Sequence, residues 1–268
     1  MKRNDIVRKQ WNQAAESFST FVRTGKNYYC DFMNAPALKR MIGNVRGKRM
    51  LDIGCGEGFF CRFFARAGNK VTGVDISDRL IEKAVETERS EPLGVEYVAA
   101  DAAHLPMLRS ESFDIVYSHK ALMDMPNYEG VVAEVSRVLK PSGKFAVIIE
   151  HPCFEAYRTL NGIEVSGWKK KTRKNQTVDY EYFWVKDYAT KHSYLWEWKM
   201  DRLPLSFVTT GFHRTLSDYV NAMTTKHLLI TKLDEPQPLE QGIKLVPNMK
   251  KHVRIPQSIV IEARKMRS

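Results

Sequence analysis

The sequence predicts an α/β fold on a mostly parallel sheet, and three observations carry that expectation. A short apolar run, Met50, Leu51 and Ile53, ends abruptly in Gly54, Gly56 and Gly58. Glycines cannot continue a strand cheaply but permit a tight turn. A helical apolar pattern then starts at Phe59, with Phe60, Phe63, Phe64 and Ala67 on one face. The second observation is a further apolar run, Lys70 to Val74, that ends in Asp75. The third is Val95 to Ala99, which leads into Asp101 and Ala102. Strands alternating with helices predict parallel pairing with crossover connections. Three successive strands therefore place glycine or acid residues at their carboxyl ends, the binding edge of an open α/β sheet. The helix N-terminus and turn amides face a ligand there, and Asp75 is placed to accept from a ribose diol. The edge suits a nucleoside-like cofactor.

The elements follow in order. Residues 4–22 read as a helix with Ile6, Val7, Trp11, Ala14, Ala15 and Phe18 on its apolar face. Tyr28 and Tyr29 follow, and by themselves read as packing for the N-terminal helices. Asn34-Ala35-Pro36 reads as a break, with Pro36 opening a short helix over 37–42. After Asp75, Ser77 is an N-cap for a helix buried through Leu80, Ile81, Ala84 and Val85. A fourth strand spans 113–117, a helix 128–139 and a fifth strand 144–150. A helix over 216–223, with Thr215 or Ser217 at its start, precedes strands at 228–233 and 258–263.

Residues 151–215 form an aromatic-rich insert. Tyr180, Tyr182 and Trp184 alternate, as do Tyr194, Trp196 and Trp198. This period predicts two extended segments arranged as an antiparallel hairpin with one aromatic face. That face suits the roof of an acceptor pocket, a packing surface or an oligomer interface. Between them and Trp168 lies the densest basic run, Lys169, Lys170, Lys171, Arg173 and Lys174, expected in a loop.

A chain of 268 residues with 43% hydrophobic and 27% charged content is ordinary for a globular protein. No apolar stretch is long enough to cross a membrane, and the N-terminus is polar, so export is not expected. Cys30, Cys55, Cys61 and Cys153 lack metal or disulfide spacing, which suits a reducing, cytoplasmic setting. The net charge of +11 is the one unusual bulk property. It favours anionic partners without specifying one.

Residues 51–58, Leu-Asp-Ile-Gly-Cys-Gly-Glu-Gly, together with 74–77, 100–102, 113–116 and 138–143, resemble the class I S-adenosylmethionine-dependent methyltransferases. The resemblance covers roughly residues 45–150. Residues 121–126, 151–154 and 213–219 extend it to the small-molecule branch often called type 11 methyltransferases. It implies a Rossmann-like seven-stranded sheet whose last two strands form an antiparallel pair. The insert would lie between the fifth and sixth strands. The implied organisation is an N-terminal covering segment at 1–44, a core at 45–150 and 216–268, and a substrate lid at 151–215. S-adenosylmethionine is the implied cofactor. Gly54, Gly56 and Gly58 would hold its methionine part, Asp75 its ribose, and Asp101 with Ala102 its adenine. Cys55, Ile76 and Ser118 complete the expected cofactor contacts. Asp52 suits a cationic sulfonium better than a pyrophosphate, and Phe59 in the sixth position departs from the GxGxxG spacing of dinucleotide oxidoreductases.

A sulfonium methyl is strongly electrophilic, so the protein chiefly aligns it with a nucleophile and excludes water. Removal of an acceptor proton is work for a base, and histidine suits neutral pH. His119, His151 and His213 are the candidates, the first two at strand ends on the binding edge. Asp124 and Glu150 are weaker ones, and no metal is expected. Trp184 and Trp196 join Tyr28 and Tyr29 as expected substrate contacts. The expected activity is methyl transfer to a small aromatic or partly apolar acceptor at oxygen, nitrogen or carbon. The alternatives are an RNA methyltransferase using residues 169–174 and a non-catalytic cofactor-binding protein. A homodimer through the insert is compatible with the sequence.

Overall fold

The computed structural model describes residues 3–25, 27–172, 178–198 and 206–267. Arg173 and Lys174 of the basic run lie outside the described residues. Seven strands form the central sheet: β1 (Arg49–Ile53), β2 (Lys70–Asp75), β3 (Glu96–Ala99), β4 (Phe113–His119), β5 (Leu139–Glu150), β10 (Leu228–Asp234) and β11 (Ser258–Lys265). Their order is β10-β11-β5-β4-β1-β2-β3. β11 runs antiparallel to both β5 and β10, and the other pairings are parallel. The strand order reverses between β1 and β4, where diverging crossovers open a crevice at the carboxyl edge.

Strands buried on both faces need apolar residues throughout. Leu51, Ile53, Val116, Phe145 and Val147 pack to one side with α5 (Tyr128–Val138) and α6 (Leu216–Thr225). Met50, Val71, Tyr117 and Ile148 pack to the other with α2 (Ala35–Ile42) and α3 (Phe59–Arg66). Ser77 caps α4 (Asp78–Ser90), accepting from the Leu80 amide at 3.1 Å. Thr215 and Asp218 form a reciprocal capping box on α6.

Three local expectations are corrected. Helix α1 (Arg3–Arg23) is followed by a π-helical turn, Cys30–Asn34, that runs directly into α2. Pro36 breaks nothing, because it sits in the first turn of α2, where its missing N–H is not needed. The i→i−5 bond from Ala35 to the Cys30 carbonyl carries the backbone across. Next, the two aromatic segments of the insert are strands, β7 (Val178–Val185) and β8 (Ser193–Trp198), but they do not pair with each other. β7 pairs with β6 (Ser166–Thr172) and β8 with β9 (Phe207–Phe212), giving two antiparallel hairpins. Finally, Lys169, Lys170 and Lys171 lie in β6 rather than in a loop. A bulge between Lys169 and Lys170 also shifts the face of β7. Tyr180 and Phe183 both meet Trp168, with ring centroids at 5.5 and 5.4 Å, while Tyr182 is left exposed.

Candidate active site

The glycine turn is held by backbone geometry. Gly54, Gly56 and Gly58 all have positive φ. A Cβ on Gly54 would lie 2.3 Å from that of Ala121, and one on Gly58 would strike the Tyr97 hydroxyl. The amides of Gly54 and Cys55 both donate to the Val74 carbonyl, at 2.8 and 3.0 Å. Asp75 closes the turn, accepting from the Gly56 amide at 2.8 Å and the Ser77 amide at 2.9 Å. Each carboxylate oxygen keeps lone-pair capacity for a ligand. Burial raises the Asp75 carboxyl, with these amide bonds opposing the shift.

Gly54, Gly56, Asp75, Ile76, Asp101 and Ala102 line one cleft of about 720 Å³, part of it open to solvent. Asp101 accepts from the Ala103 amide at 2.9 Å and from the Asn4 side chain. Asn4, Val7, Trp11 and Phe18 bring α1 over the cleft. Arg8 donates to the Ile76 carbonyl at 3.2 Å, and the Ser77 hydroxyl donates to Asn12 at 2.7 Å. Asp52, Cys55, Gly58 and Ser118 do not line it, but support the turn. Cys61 donates to Asp52, and the Ser118 hydroxyl donates to the Ile53 carbonyl at 2.7 Å. Burial pushes the Asp52 carboxyl up to about 7.

A second space of about 1140 Å³, part of it open to solvent, adjoins the first. Trp11, Phe18, His119, Lys120 and Asp124 line both. Phe21, Tyr29, Trp196 and Trp198 add apolar wall, and Glu150 adds a carboxylate. Trp198 meets Trp11 and Phe18 edge-on, with centroids at 6.2 and 6.0 Å, so the insert closes against α1. Lys120 has φ +55°, a left-handed conformation that a lysine adopts only under constraint, and pairs with Glu150 at 2.7 Å. Asp124 is buried, and its Oδ1 has no hydrogen-bond partner among the described residues. Burial, then Glu155 and Glu150, hold its carboxyl well above the usual carboxylate range.

Residues 51–147 match the family described as Methyltransferase domain. A methyltransferase dependent on S-adenosylmethionine from Mesorhizobium loti superposes with a TM-score of 0.66 at 26% identity, covering 85% of this chain and 96% of that one. The ubiquinone biosynthesis O-methyltransferase of Coxiella burnetii is 29% identical over 166 residues, 61% of this chain and 66% of the relative. Methyltransferase GfsG of Streptomyces halstedii is 38% identical over 104 residues, 38% of this chain and 37% of its own length. The chain contains a methyltransferase domain and folds as a class I S-adenosylmethionine-dependent methyltransferase. Its cofactor is S-adenosylmethionine. The first cleft fits that group, since it lies at the sheet's switch point and offers the oxygens of buried Asp75 and half-buried Asp101 to hydroxyl and amine donors.

In this methyltransferase His119 lines both cavities, while His151 and His213 line neither. His119 packs on Phe60 at 4.5 Å, and its Nε2 lies 3.8 Å from the Cys30 sulfur. Burial, helped by Lys120, lowers it to about 3, so the ring is neutral at physiological pH. Both nitrogens of His151 are engaged, Nε2 with Glu235 at 2.8 Å and Nδ1 with the Cys153 amide at 3.2 Å. His213 donates to the Tyr188 carbonyl at 2.8 Å and stacks on Tyr157. Tyr29 lines the second cavity, whereas Tyr28 stacks on Phe32. Trp196 lines the second cavity and also a third groove, which it shares with Trp184. The roles of Asn4, Lys120 and Trp198 escaped sequence reading. Only the seven-residue spacing of Trp11 and Phe18 on one helix face signalled an aromatic ridge.

Proposed function

We propose that this methyltransferase acts on a small aromatic or partly apolar acceptor held in the second cavity. The supporting observation is that this cavity and the cofactor cleft share Trp11, Phe18, His119, Lys120 and Asp124. A methyl donor in one space thereby faces a nucleophile in the other, which supplies the alignment that methyl transfer needs. When bound, the cofactor supplies an electrophilic methyl group. In this reading Asp75 holds its ribose diol, Asp101 and Ala102 its adenine, and Gly54 and Gly56 its methionine part. Trp11, Phe18 and Trp198 exclude water at the junction. Neutral His119 offers a ring nitrogen as hydrogen-bond partner to the acceptor's reacting group, and Lys120 and Asp124 orient the acceptor's other polar atoms.

A walled cavity with aromatic sides favours a small molecule over RNA, and its presence beside the cofactor cleft disfavours a purely cofactor-binding protein. The lid role of residues 151–215 is supported by their contribution of Trp196 and Trp198 to the wall. Four free cysteines support a cytoplasmic setting. Exposed Tyr182 and Leu195 support the insert as a homodimer face. The test is transfer of labelled methyl from S-adenosylmethionine to a panel of small phenols and aryl amines, with RNA alongside. Label is expected in a small acceptor, with kcat reduced roughly tenfold by His119→Ala, the loss of one positioning hydrogen bond. Label in RNA alone would contradict the reading.

A further inference from the structure

The two hairpins of the insert enclose a third space, apart from the cofactor cleft. This groove of about 1580 Å³, part of it open to solvent, is lined by Trp168, Tyr180, Trp184 and Trp196, with Lys170 and Lys251 among them. Lys251 comes from a 3₁₀ turn, Pro247–Val253, outside the insert. Its ammonium sits 4.4 Å from the centre of the Tyr180 ring and 5.7 Å from that of Trp168. Lys170 approaches Tyr180 at 5.8 Å. Among the described residues neither lysine has a carboxylate partner. Two cations share one aromatic surface, an arrangement that repulsion opposes unless an anion joins them. Burial and Lys170 push Lys251 down to about 8, the direction a bound anion would reverse.

The groove abuts the acceptor cavity. Trp196 and Glu197 line both spaces. His252, next to Lys251, contacts Tyr29 of the acceptor cavity at 5.8 Å and Trp168 of the groove at 6.2 Å. The rim limits what the groove can hold. Arg158 is tied to Glu164 at 2.5 Å, and Glu164 and Glu197 both line the wall. Carboxylates there disfavour a polyanion, while two unpaired ammonium groups suit one anionic group.

We propose that this groove binds the anionic tail, carboxylate or phosphate, of the acceptor whose reacting end lies beside His119, with Lys170 and Lys251 holding the charge and Trp184 and Trp196 the apolar linker. This inference rests on the second cavity being the acceptor site, so its test reads binding rather than turnover.

The probe is the aromatic sulfonate 8-anilinonaphthalene-1-sulfonate, titrated by fluorescence against the full chain saturated with S-adenosylhomocysteine. The uncharged N-phenyl-1-naphthylamine serves as its control. Lys170→Gln and Lys251→Gln are each expected to weaken the sulfonate about tenfold and leave the neutral probe unchanged. Trp184 lines the groove and neither of the other two spaces, and Trp184→Ala is expected to weaken both probes. Inorganic phosphate and acetate at millimolar concentration should compete with the sulfonate alone. Equal effects of the lysine variants on both probes, or none, would overturn the proposal. Displacement by polyuridylate with a steep salt dependence would overturn it in favour of RNA. Unchanged homocysteine-ligand affinity in the variants separates these outcomes from a failed fold. A charge-selective groove in an enzyme that methylates no small acceptor would remove the acceptor assignment while leaving the anion site standing.

Discussion

Asp75 carries the clearest residue-scale consequence. Its two oxygens brace the turn through the Gly56 and Ser77 amides, and the residue lines the cofactor cleft where the proposed function puts the ribose. Asp75→Asn keeps the size and loses the charge. Affinity for S-adenosylhomocysteine should fall roughly 10- to 100-fold by calorimetry, the loss of charge-assisted hydrogen bonds worth ~1.5–3 kcal/mol. Unchanged affinity would count against the ribose assignment. Glu155 illustrates buried acid behind the site. It accepts from the Tyr194 hydroxyl, and burial together with Glu150 pushes it up to about 8 from an ordinary 4.5. The folded chain therefore retains a proton that the unfolded chain releases, so this group's contribution to stability is present below about 4.5 and lost as pH rises towards about 8. Its slope is at most ~1.4 kcal/mol per pH unit. Glu155→Gln should flatten the decline in urea midpoint between pH 5 and 8, and an unaltered slope would contradict a protonated Glu155.

At the scale of elements, α1 is the part whose role depends most on tertiary placement. Its bonds to Asp101, Ile76 and Ser77 fix it over the cofactor cleft, and Gln10 reaches the Thr210 amide of β9 at 3.0 Å. A helix that lies on both the cleft and the insert should tighten when the cleft fills. Amide exchange across Arg3–Arg23 is expected to slow on addition of S-adenosylhomocysteine, while β5 and β11 stay as they were. Exchange in α1 that ignores the ligand would separate it from the site. The core elements were legible in the sequence because each signal was local: apolar runs for β1 to β5, glycines at the turn, and Ser77 and Thr215 as caps. The insert was legible only in part. Period two revealed β7 and β8, but pairing is decided by tertiary partners and by the bulge at Lys169 and Lys170. Likewise, strand ends placed His119 and His151 on one edge. Only three-dimensional packing turned His151 toward Glu235 and left His119 in both cavity walls.

For the whole molecule, three spaces in contact, rather than any single residue, define the functional reading. The cofactor cleft and second cavity share a wall, and the second cavity and basic groove share Trp196 and Glu197. Two of the chain's 42 basic residues, Lys170 and Lys251, line that groove. The central claim is that the first cleft holds the cofactor with its sulfur at the junction. A crystal structure with S-adenosylhomocysteine tests it most directly. Ribose is expected on Asp75, adenine beside Asp101 and Ala102, and the sulfur facing the second cavity between His119 and Asp124. A ligand lodged elsewhere, or a sulfur turned away from that cavity, would contradict it.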